Sequence, residues 1–278
     1  MNHRPRLSRA TRPATVEVRS SNERGEQLVT PIAGEYPLTI YLDKRELVTL
    51  MTLGQHPEAL AIGYLRNQRL VASLNEIESV QVDWEVDSCA ISTVCGIAGL
   101  ESRLAKRTVT TGCGQGTVFG NLMDEIDSIR LPADQTLDET TYYRLMDNVR
   151  RFDSVYKTAG AVHGCALAKD DEILMFVEDV GRHNAVDAIA GQMWLDDIDG
   201  ADKIFYTTGR LTSEMVIKCA QMGIPFLVSR SGLTQMGHEI ARRVGITMIG
   251  RATGKHYLLF TGGQRFVRAI AATPAAAQ

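Results

Sequence analysis

Lys203-Ile204-Phe205-Tyr206-Thr207-Thr208-Gly209-Arg210 is the stretch on which the reading of the fold turns. An apolar run of strand length ends in a glycine and an arginine. Residues 214–222 follow with helical spacing, and a second apolar run, Pro225-Phe226-Leu227-Val228-Ser229, ends in Arg230-Ser231-Gly232. Strands buried on both faces read as continuous apolar runs, and parallel neighbours need a crossover between them. The pattern extends both ways. Downstream, residues 235–244 read as helix and 245–249 as strand; upstream, 138–150 read as an amphipathic helix, 161–167 and 172–177 as strands, and 184–194 as helix. Strands alternating with helices of about ten residues predict βαβ units, a largely parallel sheet and an α/β fold.

The first half has another texture. Residues 36–42 alternate, Asp43-Lys44-Arg45 turns the chain, and 46–51 resume an extended pattern, which predicts a hairpin. His56-Pro57-Glu58 opens a helix expected to run to about Val71, with Pro57 at the first helical position. Residues 77–84 and 88–94 read as strands, and a helical stretch near 100–106 leads into a glycine-rich loop. The expected organisation is a disordered basic arm at 1–25, a small α+β domain at 26–135 ending in that loop (108–117), and a larger domain at 136–278. The arm carries Arg4, Arg6, Arg9 and Arg12, and no acid up to Ala14.

A chain of 278 residues with 44% hydrophobic content has room for two cores. Its net charge of −3, from 30 basic and 33 acidic residues, argues against a basic nucleic-acid coat, so no nucleic-acid partner is expected. Five cysteines without paired spacing make no disulfide framework and fit a reducing, cytoplasmic compartment. Cys89 and Cys95 have no CxxC or HxxxH beside them, so no zinc is expected. No apolar run approaches the roughly 18 residues of a membrane span, and the N-terminus lacks the apolar core of a secretory signal.

Two features carry chemistry. The loop Thr110-Thr111-Gly112-Cys113-Gly114-Gln115-Gly116 sets one thiol among three alternating glycines, which keep the backbone mobile and the sulfur sterically bare. Lys106 and Arg107 just upstream would raise its thiolate fraction. An incidental cysteine in a surface turn is the plainer alternative. The second feature is a cation and a glycine after each strand of the second half: Gly181-Arg182-His183, Gly209-Arg210, Arg230-Ser231-Gly232, and Gly250-Arg251 with Gly254-Lys255. In a parallel sheet the carboxyl ends share one edge, so these loops would converge on a crevice suited to phosphates. Each arginine reaching separately into solvent is the alternative. Neither GxGxxG at a first βα turn nor GxxxxGK[ST] occurs. His163, in an apolar run, is either a core histidine or a ligand contact; Cys165 and Cys219 read as inert core thiols.

Several stretches together resemble one family. Thr158-Ala159-Gly160-Ala161-Val162-His163, the string from Glu178 to Asp187 (EDVGRHNAVD), the segment from Gly209 to Val216 (GRLTSEMV) and the segment from Gly223 to Ser231 (GIPFLVSRS) are similar to the formate dehydrogenase accessory sulfurtransferase family, FdhD. With Glu35-Tyr36-Pro37-Leu38 and the cysteine loop, the likeness covers roughly residues 30 to 262. The resemblance implies a cytoplasmic homodimer whose larger domain has a three-layer, cytidine-deaminase-like fold and holds molybdenum bis(molybdopterin guanine dinucleotide) as cargo. It implies a sulfurtransferase in which a loop cysteine, here Cys113, takes sulfur as a persulfide from a cysteine desulfurase. That sulfur passes to the bound metal centre before the cofactor enters formate dehydrogenase. The family's cofactor segment carries over to Arg251, Ala252, Thr253, Gly254, Lys255 and His256, and Arg182, His183, Arg210 and Arg230 join it as cofactor-binding residues.

Three departures accompany the resemblance. The family loop commonly reads CGxC, whereas Cys113-Gly114-Gln115-Gly116 lacks the second thiol. Where many members have a GFLxxEGII-like segment, this chain has Gly63-Tyr64-Leu65-Arg66-Asn67-Gln68-Arg69-Leu70-Val71. The cofactor segment is also less glycine-rich. The zinc signature of deaminases, HxE with PCxxC, is absent. A cofactor-delivery chaperone that moves no sulfur is the competing reading, and the missing second cysteine is its support.

Overall fold

The computed structural model describes residues 4–97, 126 and 128–269. The basic arm, expected to be disordered, is ordered from Arg4 onward. Within it, β1 (Arg6–Leu7) pairs with a later strand, and β2 (Thr15–Ser21) forms an antiparallel ribbon with β3 (Gln27–Ala33). The reason is long-range. The Arg12 guanidinium lies 5.5 Å from the ring centres of both Tyr36 and Trp84 and donates to the Trp84 carbonyl at 2.7 Å. Ser8 Oγ and the Ala10 N–H donate to the buried Glu58 carboxylate at 2.6 and 2.8 Å. The stretch up to Ala14, with no acid of its own, thus finds acids and rings far along the chain.

The predicted hairpin is present as β4 (Tyr36–Leu42) and β5 (Arg45–Thr52), turned at Asp43 and Lys44, both with positive φ. With β6 (Ile77–Asp83) and β7 (Ser88–Thr93) they form a five-stranded sheet in the order β1-β6-β7-β4-β5. The helix after Pro57, α1 (Pro57–Asn67), stops about one turn short of Val71. Arg69 takes a left-handed φ of 54°, and the Leu70 N–H returns to the Leu65 carbonyl, closing the helix end. The helix expected near 100–106 and the cysteine loop lie outside the described residues.

The second half follows the predicted alternation closely. After β8 (Leu137–Asp138) come α2 (Glu139–Arg151), capped by the Asp138 carboxylate, and the short α3 (Val155–Ala159), capped by Ser154. Then come β9 (His163–Lys169), β10 (Glu172–Asp179), α4 (Arg182–Leu195), β11 (Ile204–Thr207), α5 (Ser213–Gln221), β12 (Phe226–Ser229) and α6 (Gln235–Val244). Two further strands, β13 (Thr247–Thr253) and β14 (His256–Thr261), precede β15 (Phe266–Val267), which pairs with β8.

The expectation of a largely parallel sheet needs correction. The six-stranded sheet runs β10-β9-β11-β12-β13-β14 and only β11, β12 and β13 are mutually parallel. β9 and β10 are joined by two residues, with Asp170 at φ 52°, and β13 and β14 by Gly254 at φ 60° and Lys255. Two residues can reverse a strand but cannot carry a crossover. Because β9 is antiparallel to both β10 and β11, the carboxyl ends of β10, β11, β12 and β13 still share one edge, joined there by the start of β9.

Side chains alternate across this sheet and fill two cores. Cys165, Leu167, Phe205, Leu227 and Met248 pack with α4, α5 and α6, whereas Ala166, Tyr206, Val228 and Ile249 pack with Tyr142 and Leu145 of α2. The fold is thus a mixed α/β arrangement with helices on both faces of the larger sheet. The first core continues through α4 to α1 and the five-stranded sheet beyond. Glycines set the α1–α4 approach: a Cβ on Gly63 would sit 1.7 Å from the Asp187 carbonyl oxygen, and one on Gly191 would sit 1.9 Å from that of Ala59. Beside this seam, Arg66 stacks on Trp194 at 4.9 Å and donates to the Ala190 carbonyl at 2.7 Å.

Candidate functional site

On the α2 face of the larger sheet, at the edge where the four carboxyl ends meet, opens a cleft of about 820 Å³. That is the size of a small-molecule site, not of a surface dimple. Its floor is Gly164, Tyr206 and Thr208; one wall is Tyr143, Met146 and Arg150 of α2, and the other is Ala252, Thr253, Gly254 and Lys255. Tyr143 Oη donates to the Lys255 carbonyl at 3.1 Å, and Tyr257 Oη to Glu139 at 2.5 Å, so the β13–β14 turn is tied to α2. The third side is α3. Glu178 accepts from the N–H groups of Val155 at 2.5 Å and Tyr156 at 3.1 Å, which places Tyr156 against Arg230, 5.6 Å from guanidinium to ring centre. Burial raises the Glu178 carboxyl above the usual carboxylate range. Lys157, Arg230 and Lys255, with Arg150 paired to Asp147 at 2.9 Å, supply positive charge around aromatic walls, a combination that suits a heterocycle bearing phosphates.

The residues expected to bind cofactor therefore divide. Arg230, Ala252, Thr253, Gly254 and Lys255 line the cleft. Arg251 takes φ 52° in an irregular part of β13, with its N–H on the Ser231 carbonyl, and neither it nor His256, exposed at the start of β14, is among the lining residues. Arg182, His183 and Arg210 gather along the same edge on the α4 side. A Cβ on Gly209 would sit 3.0 Å from Arg182 Cδ, His183 Nε2 lies 3.4 Å from Glu214, and Thr208 Oγ1 lies 3.4 Å from His163 Nδ1. His163 is half-buried, not a core residue; burial, then the charges of Arg182 and Arg210, lower its pKa. His183 is pushed down to about 2, by burial and then by Lys218, Arg182, His163 and Arg210. Sequence reading missed Tyr143, Tyr156, Arg150 and Lys157. The signal available for them was the amphipathic pattern of α2 and the Ser154 cap of α3, neither of which names a ligand.

Behind these cations lies a buried polar knot. Lys218 Nζ donates to Asp187 at 2.9 Å and lies 3.4 Å from Glu214, while Asn67 of α1 donates to the other Asp187 oxygen at 2.6 Å. Burial works against the Lys218 ammonium, but Asp187 and Glu214 outweigh it and hold the group charged. Asp179 accepts from Thr52, Leu53, Gly181 and Asn184, joining the end of β5 to the start of α4.

The thiols separate as sharply. Cys165 is buried, donates to Thr207 Oγ1 at 3.3 Å, and burial pushes its pKa up to about 12. Cys219 and Cys89 are likewise buried and raised, whereas Cys95 is exposed. Cys113 lies outside the described residues. Among the described residues no helix is long and apolar enough to cross a membrane.

Comparison with known proteins agrees with this architecture. A protein named sulfur carrier protein FdhD from Bacillus pumilus is 30% identical over 240 residues, covering 84% of this chain and 89% of the relative. Its namesake from Listeria monocytogenes is 29% identical over 242 residues, 86% and 93% of the two chains. The crystal structure of a candidate formate dehydrogenase accessory protein from Desulfotalea psychrophila superimposes with a TM-score of 0.73 at 25% identity, over 92% of this chain and 100% of that one. The pattern that defines the FdhD/NarQ family matches residues 33–267, from the end of β3 to β15. On this match the chain belongs to the FdhD/NarQ family.

Proposed function

We propose that this protein is a sulfur carrier in the maturation of formate dehydrogenase, and that its cargo is molybdenum bis(molybdopterin guanine dinucleotide). The observation that carries the reading is the cleft of about 820 Å³, aromatic on its walls and ringed by Arg150, Lys157, Arg230 and Lys255. A guanine nucleotide moiety matches it in size and chemistry: rings against Tyr143 and Tyr156, phosphates against the cations and the Gly254 turn. The relatives named as sulfur carriers support the transfer half of the reading.

Cys113 is the carrier in this proposal. Cys89, Cys165 and Cys219 are buried with raised pKa values and are poor nucleophiles, which leaves Cys95 and Cys113; of these, Cys113 is the one to which the family's loop cysteine carries over and the one set among glycines. The Cys113 thiolate attacks the terminal sulfur of a persulfide on a cysteine desulfurase. One S–S bond forms as another breaks, and the desulfurase cysteine leaves as thiolate. The resulting persulfide needs no neighbouring base to hold its sulfur. When the terminal atom is donated to the cargo the S–S bond breaks, Cys113 leaves as thiolate, and the two electrons that bring that sulfur to the sulfide level come from the cargo's reduced metal or from an external thiol reductant. A reducing cytoplasm suits such a thiol.

Mass spectrometry after incubation with a desulfurase and cysteine tests the reading. Cys113 should gain one sulfur atom, Cys113→Ala should gain none there, and that variant should fail to activate formate dehydrogenase. Cargo binding without a persulfide on Cys113 would make the protein a delivery chaperone instead.

A further inference from the structure

The cations that do not line the cleft form a site of their own. We propose that the facing N-termini of α4 and α5 make an oxyanion subsite, lined by Arg182, Arg210 and His163, whose ligand is a phosphoryl group. Three observations support it. First, the two helix starts are brought together by His183 and Glu214, 3.4 Å apart, and neither N-cap, Gly181 or Thr212, supplies a side-chain acceptor to its helix. Helix N-termini favour anions, and guanidinium groups match tetrahedral oxyanions in bidentate fashion.

Second, the nearby carboxylates are already engaged: Asp179 by four donors, and Glu214 and Asp187 by Lys218. Arg210 is exposed and makes no ion pair among the described residues, and it acts on His163 together with Arg182. Third, His183 Nδ1 and Thr212 Oγ1 are among the buried polar atoms of this cluster that make no hydrogen bond, beside Glu214 Oε1, whose charge Lys218 meets at 3.4 Å; the His183 side chain is only 6% exposed. Buried polar atoms are seldom left unsatisfied; the Thr212 hydroxyl can donate to an oxyanion, and the His183 ring nitrogen can do so in the tautomer that carries its proton on Nδ1.

The subsite adjoins the cleft through Thr208, which lines the cleft and touches His163. A ligand in the cleft can therefore extend a phosphoryl group into it. Only the identity of that phosphate's owner rests on the proposed cargo.

Histidine NMR on the full chain tests this, with the His163 resonance assigned by His163→Gln. Sulfate is the probe because it keeps two charges throughout the titration. Sulfate should raise the apparent pKa of His163 by about one unit more than chloride at equal ionic strength. Arg210→Ala and Arg210→Gln should raise the unliganded value and abolish the sulfate increment, a pair of effects that loss of packing does not produce. Equal shifts with sulfate and chloride, or an undiminished increment in both variants, would overturn the subsite. Guanosine diphosphate identifies the source. An increment that Arg230→Ala removes means a phosphoryl group borne by a nucleotide in the cleft, and an increment with sulfate alone means a free anion. The persulfide measurement on Cys113 is independent, so failure there leaves this result standing.

Discussion

Gly63 and Gly191 meet across the α1–α4 seam, each with its backbone nitrogen 2.8 Å from where the other's Cβ would be. Backbone, not a pliable side chain, occupies that space. Gly63→Ala should force the helices apart and cost at least about 3 kcal/mol, the upper range of overpacking penalties. Urea denaturation of the variant checks this, and a loss below about 1 kcal/mol would show that the seam opens easily.

The cleft cations should matter to affinity more than to folding. Arg230 is exposed, so Arg230→Ala should leave the unfolding midpoint nearly unchanged while weakening guanosine diphosphate binding about tenfold. The dependence of binding on salt should become shallower as one charge contact is lost. Calorimetry at two ionic strengths reads both effects.

Thiol labelling should separate the cysteines by burial. Raising the Cys165 pKa from 9.0 to about 12 leaves roughly a thousandfold less thiolate at neutral pH. Cys95 should react with an aromatic disulfide reagent in the native protein, and Cys89, Cys165 and Cys219 only on unfolding. Peptide mapping of the labelled protein checks the order, and labelling of Cys165 in the native state would contradict the packing of β9.

Asp202 sets part of the acid limb of stability. Hydrogen bonds from Lys169 and then Lys203 hold its carboxyl at about 2, below its ordinary 3.8. A depressed carboxyl stabilises the fold above its unfolded pKa, and that contribution is lost as pH falls through the folded value. Stability should therefore drop between pH 3.8 and about 2, and Asp202→Asn should flatten that part of the curve. Thermal unfolding across this window measures the difference; because the pair is largely solvated, the effect should be modest.

Much of the second half was legible because its central strands, β9, β11 and β12, are buried on both faces, so the order from β9 to α6 follows from apolar runs alternating with helically spaced stretches. The two hairpins were not legible as such. Asp170-Asp171 and Gly254-Lys255 look like many loop pairs, and whether the next run returns beside its predecessor depends on sheet pairing. The ordered arm was hidden for a similar reason: Arg12 has no local partner, and Tyr36 and Trp84 are met only in three dimensions. Convergence of the cations on one edge was anticipated. Their division between cleft and α4 was not, because the face to which a side chain turns after the last strand residue is set by loop geometry.

The tether between the first residues and Glu58 bears on how the protein is cut for experiment. Cloning from Thr15, a natural choice for anyone trimming a supposedly loose tail, would remove both Ser8 and Ala10 and leave a carboxylate at the start of α1 without the donors it receives there. It would also remove the Arg12 guanidinium from between Tyr36 and Trp84. Such a clone would be a weakened protein from the outset, and purification tags belong at the other end of the chain.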